Sequence, residues 1–70
     1  MSRPVKRSVT LRGHRTSVSL EDEFWKAFCA LAAKDSRAIS DLASEIDASR
    51  DADTGLASAI RVYILKRLTD

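Results

Sequence analysis

The stretch Arg15-Thr16-Ser17-Val18-Ser19-Leu20-Glu21-Asp22-Glu23-Phe24 changes its period halfway along, and that change decides the fold. Up to Leu20 polar and apolar residues alternate, which puts Val18 and Leu20 on one face of a strand and Arg15, Ser17 and Ser19 on the other. From Glu21 the period is helical. Three acids, Glu21, Asp22 and Glu23, stand where the positive end of a helix dipole favours them. Phe24, Ala27, Phe28, Leu31 and Ala32 then recur at helical spacing, with Trp25 and Cys29 widening the stripe. Lys34 gives the last turn a cation, and Asp35 and Ser36 break the helix.

Towards the C-terminus, Ile39, Leu42, Ala43 and Ile46 predict a second helix that ends near Ser49 or Arg50. Residues 50–55 are polar and end in Gly55, a loop by composition. A third helix is expected over Leu56 to Leu68. Leu56, Ala59, Ile60, Tyr63 and Ile64 line one side of it, and Val62, Leu65 and Leu68 extend the apolar surface nearly all round. Such a helix in so short a chain calls for burial against a partner. Reading along the chain finds no internal repeat and no low-complexity segment.

Towards the N-terminus, Ser8 to Arg12 alternates as well, with Val9 and Leu11 sharing a face. Two readings stand for it. Arg12-Gly13-His14 turns a hairpin that lays a second strand beside the first, or the segment is a disordered arm that orders on phosphate. In the hairpin reading a dimer carries four strands, and a major groove about 12 Å wide admits two strands spaced about 4.8 Å apart but not four. DNA contact would then move to the turn and the arm, or the surface would have another use. Residues 1–7, with Pro4, read as a flexible basic arm ahead of a domain spanning 8–70.

A chain of 70 residues makes one domain at most, and its single cysteine and single histidine leave no disulfide and no metal site to staple it. Oligomerisation is the remaining device. No cofactor is implied, and no nucleophile, carboxylate pair or phosphate loop suggests an enzyme. Cys29 reads as a buried structural thiol, and His14 as a solvated loop residue. The basic N-terminus lacks the apolar core of a secretory signal, so a cytoplasmic protein is expected.

The net charge is only +2, but it is unevenly spread. Arg3, Lys6, Arg7, Arg12 and Arg15 precede residue 21 without a single acid, and the remainder is mildly acidic. That is the footprint of a basic arm or face for phosphate. A lone strand leaves backbone groups unpaired, so it is expected to pair antiparallel with the same strand of a second chain. Val18 and Leu20 of both chains then cover the helices, and Arg15, Ser17 and Ser19 face outward twice over. A two-stranded ribbon of this kind fits the major groove, where arginine reads guanine and hydroxyls serve several bases.

Residues 15–24, with Leu31-Ala32 and Ser40-Asp41-Leu42, resemble the ribbon-helix-helix superfamily of bacterial repressors. The chain is also similar to a subgroup with an arginine-rich lead-in, a Phe-Trp pair opening the first helix and a further helix after the second. The resemblance implies a mainly α fold with a short β-ribbon, assembled as an intertwined homodimer with an additional third helix. It implies base contacts from Arg15, Ser17 and Ser19, and a dimer core of Val18, Leu20, Phe24, Trp25, Phe28, Leu42, Ile46, Ile60, Tyr63 and Ile64. It also implies a phosphate held at the start of the second helix, by Ser40, while Arg3, Lys6, Arg7 and Arg12, clustered without acids beside the ribbon, are expected to meet further phosphates. Ser36 and Ala38 depart from the pattern, standing where the family commonly has glycine and a capping Ser or Thr.

The function expected is a sequence-specific regulator, a repressor that occludes a promoter in association with the nucleoid, with dimers pairing as tetramers on DNA. The alternative is a dimeric protein-interaction module or antitoxin-like component with little specific DNA binding. Antitoxins usually carry a toxin-gripping tail, and this chain ends at Asp70, which ranks that reading second.

Overall fold

Both alternating segments are strands, and they pair with each other. In a computed structural model that describes residues 2–70, β1 (Val5–Leu11) and β2 (His14–Leu20) form a two-stranded antiparallel sheet, followed by α1 (Asp22–Lys34), α2 (Ile39–Ser49) and α3 (Leu56–Thr69). The hairpin is closed by Arg12 and Gly13 alone, at φ 50° and 85°. Positive φ at both central residues gives the loop the backbone twist that a two-residue hairpin requires. Pairing runs without interruption from Leu11–His14 to Val5–Leu20.

This hairpin decides between the two readings of Ser8 to Arg12 and shortens the expected arm. Val5, Lys6 and Arg7 belong to the strand, because Val5 pairs with Leu20 and Arg7 with Val18. Met1, the first residue of that arm, lies outside the described residues. β2 pairs along one edge with β1 of the same chain.

Directly opposed residues share a face. Val9 and Val18 point towards the helices and are 5% and 4% exposed, and Leu20 is fully buried. β1 lies on α2 and β2 on α3, while α1 packs against both other helices. The core beneath the sheet is Phe28, Leu31 and Ala32 of α1, Leu42, Ala43 and Ile46 of α2, and Ile60 and Ile64 of α3. Phe24, Trp25 and Tyr63 pack on it half-buried. The residues expected at a dimer core thus meet within one chain. α3 buries one side only, with Val62, Leu65 and Leu68 left 48%, 60% and 67% exposed. Among the described residues no helix is long and apolar enough to cross a membrane.

The junction between α1 and α2 explains the departure at Ser36. The backbone N–H of Ser36 donates to Ala33 O and that of Arg37 to Ala32 O, the paired bonds that close a helix when the residue past its C-cap turns left-handed. Ser36 holds φ 55°, a conformation glycine adopts freely, and serves in glycine's place.

Candidate nucleic-acid interface

The sheet has one face on the helices and one in solvent. The outward face is formed by the pairs Lys6–Ser19, Ser8–Ser17 and Thr10–Arg15, and all six side chains are exposed. None is acidic or apolar. A hairpin closed by two residues starts from a hydrogen-bonded pair and alternates from there, so these outward pairs are the closely spaced kind, with side chains side by side. The surface is therefore two strands wide, with hydroxyls in the middle and a cation at each of two diagonal corners.

Arg15, Ser17 and Ser19, the residues assigned to base contact from sequence, stand together on this face. Lys6, assigned to phosphate, joins them there. Ser8 and Thr10 were not singled out, although their alternation with Val9 and Leu11 placed them opposite the apolar side. What was missing was the register, which only pairing within the chain supplies. Arg12 is exposed at the tip of the hairpin, Arg3 is exposed just ahead of β1, and His14 is exposed beside the turn.

Arg7 is placed differently. It occupies an inward position, where its guanidinium pairs with Asp22 at the start of α1 and lies 5.5 Å from the centroid of the Trp25 ring. Its Nε is buried without a hydrogen-bond partner among the described residues. The side chain anchors the middle of β1 to the first turn of α1, apart from the outward cations. Ser40 is half-buried in the first turn of α2, and that helix begins without a side-chain cap because Ala38 occupies the capping position.

The ribbon is fastened at its other strand too. From α3, Arg61 donates through Nη2 and Nε to Glu21 Oε1, at 2.8 and 3.1 Å, and through Nη2 to Ser19 O at 3.3 Å. These bonds hold the end of β2 and the start of α1 in one place. They also keep the Glu21 carboxyl below its usual range, chiefly through the Arg61 hydrogen bond. Cys29 is a free, half-buried thiol of α1, and burial pushes its pKa up, away from the reactive thiolate.

Comparison with known proteins agrees with this geometry. Residues 4–68 match a family model described as a ribbon-helix-helix domain. No curated protein and no solved structure matches the chain.

Proposed function

The chain belongs to the ribbon-helix-helix domain family, and from that premise we propose that it is a sequence-specific DNA-binding regulator whose own hairpin enters the major groove. The observation that carries this reading is the outward face of the sheet: six exposed hydrogen-bonding side chains, two of them cations and none an acid, on a ribbon two strands wide. Two strands spaced about 4.8 Å apart fit a groove about 12 Å wide.

In this arrangement Arg15 and Lys6 donate to guanine edges, and Ser8, Thr10, Ser17 and Ser19 donate or accept at neighbouring bases. Arg12 and Arg3 lie beyond the ends of the face and suit phosphates. The tip supports this role, since Arg12 holds a left-handed φ that asparagine or glycine adopts at less cost. The uncapped start of α2, with Ser40 in its first turn, offers backbone N–H groups to a further phosphate. Ribbon-helix-helix domains generally act as dimers on DNA. Here two copies acting together bring two complete ribbons to adjacent sites, and repression follows from occluding a promoter.

Binding of genomic fragments at two salt concentrations, with Arg15→Ala beside the natural chain, tests the reading. Specific retention is expected, and Arg15→Ala is expected to lose about tenfold on the preferred sequence and little on random DNA. Equal loss on both would remove Arg15 from base reading, and no specific retention at either salt would sink the proposal.

A protein-interaction module is favoured by one observation, the exposed Val62, Leu65 and Leu68 on α3. Val62 borders an open groove of about 350 Å³ with Ile46, Arg50 and Tyr63. Retained DNA specificity in a Leu65→Ser, Leu68→Ser variant is expected. Loss of DNA binding there, with the fold intact, would move the function to α3.

A further inference from the structure

The two strands of the sheet are fastened to the helices by two arginines that use the same kinds of partner. On β1, Arg7 pairs with Asp22 and lies 5.5 Å from the centroid of the Trp25 ring. From α3, Arg61 pairs with Glu21 at 2.8 Å and lies 5.5 Å from the centroid of the Phe24 ring. The two acids are consecutive in the chain, and so are the two aromatic residues. The acids and the Phe-Trp pair that open α1 therefore form two adjoining seats, one for each arginine.

Arg61 belongs to neither strand, yet it also bonds the backbone of β2, at Ser19 O, 3.3 Å from Nη2. In a closely spaced antiparallel pair the backbone groups of both residues point away from the partner strand. Ser19, paired in this way with Lys6, turns its carbonyl away from β1 and towards α3. One planar guanidinium thus holds the Ser19 carbonyl and the Glu21 carboxylate at a fixed angle, which an ammonium does not do.

Ser19 is the last outward residue of β2, and Leu20 after it is fully buried. The angle at which the strand leaves the helices is therefore set here. Arg15 stands four residues away along the strand, about 14 Å at the usual rise. A swing of about 5° at Ser19 moves Arg15 by about 1.2 Å, more than the roughly 0.5 Å within which a reading side chain must be held. We infer that Arg61 is a positioning residue for base reading: it fixes the angle of β2 and so sets sequence preference without itself touching DNA. The inference rests on the DNA-binding reading above and adds a residue of α3 to a face built wholly from the sheet. Every bond it uses lies within one chain, so it applies equally to each copy of a dimer.

Arg61→Lys, Arg61→Ala and Glu21→Gln provide the test, each measured for its melting midpoint and for binding to random duplex and to the duplex selected from a random pool, over a range of salt. Arg61→Lys keeps a charge beside Glu21 and is expected to melt near the natural chain, yet to lose about tenfold in preference for the selected sequence. Glu21→Gln removes an acid, a change that by charge alone strengthens binding to any DNA. It is expected to lose preference as Arg61→Lys does, and the double variant to lose no more than either single one. Arg61→Ala is expected to keep the natural salt slope, because no phosphate contact is lost. Natural preference in Arg61→Lys, additive losses in the double variant, or a salt slope lowered by about one in Arg61→Ala would overturn the inference and leave DNA binding standing. No sequence preference in the natural chain would overturn the DNA-binding reading and the inference together.

Discussion

Ser36 is the residue whose chemistry and conformation agree least. At φ 55° its Cβ crowds the backbone, which costs an L-residue roughly 1–2 kcal/mol relative to the right-handed region. Glycine removes that cost but gains freedom in the unfolded chain, which returns about 0.4–1 kcal/mol. The balance favours glycine, so Ser36→Gly is expected to stabilise the fold by about 0.5–1 kcal/mol and raise the melting midpoint by about 3–6 °C. An unchanged or lower midpoint would show that the serine side chain supports the turn in a way its backbone bonds do not reveal. Arg12 holds a similar φ, but there the cation stands at the tip of the proposed interface. The same strain thus has a proposed use at one position and none at the other.

Among the elements, the helices were the most legible, because each carries an apolar stripe and a composition break at its ends. α1 stops at Lys34 and α3 starts at Leu56, as Asp35 and Gly55 suggested. The strands were legible as strands but not in their pairing. Alternation fixes which side chains share a face within one strand, whereas the partner depends on the two-residue turn, and Arg12 is an uncommon residue at a left-handed position. Arg7 escaped because the strand was read from Ser8; with β1 starting at Val5, alternation with Val9 and Leu11 turns Arg7 inward to Asp22 and Trp25. The junction of β2 and α1 makes a prediction in its turn. Glu21 titrates below its ordinary value of 4.5 because Arg61 bonds its charged form. A carboxylate with a depressed folded-state pKa adds stability above its unfolded value, and that stability is lost as pH falls through the folded-state value. Glu21→Gln is therefore expected to lower the melting midpoint at neutral pH and to approach the natural chain in acid, once the pH has fallen through the depressed folded-state value and both lack the charge. A gap that stayed constant from neutral to acid conditions would assign the loss to packing and not to the ion pair.

At the scale of the whole molecule, the open question from sequence was how so short a chain closes a core, and a second chain was the expected answer. The structure closes it with β1 and α3. Leu20, Phe28, Leu42 and Ile60 are fully buried with one chain present. The radius of gyration is 11.4 Å, against about 11 Å for a self-contained domain of this length. One chain by itself thus pairs β2 with β1 and covers the inner faces of its helices, which predicts folding that does not depend on association. Were the core completed by a second chain, a hundredfold dilution would destabilise the dimer by about 2.7 kcal/mol and lower the melting midpoint by several degrees. The expected result is a midpoint that stays within about 1 °C across that range, measured by circular dichroism at fixed buffer and salt. A midpoint that falls steadily with dilution would show that two chains fold as one unit, and the hairpin's independence would fall with it.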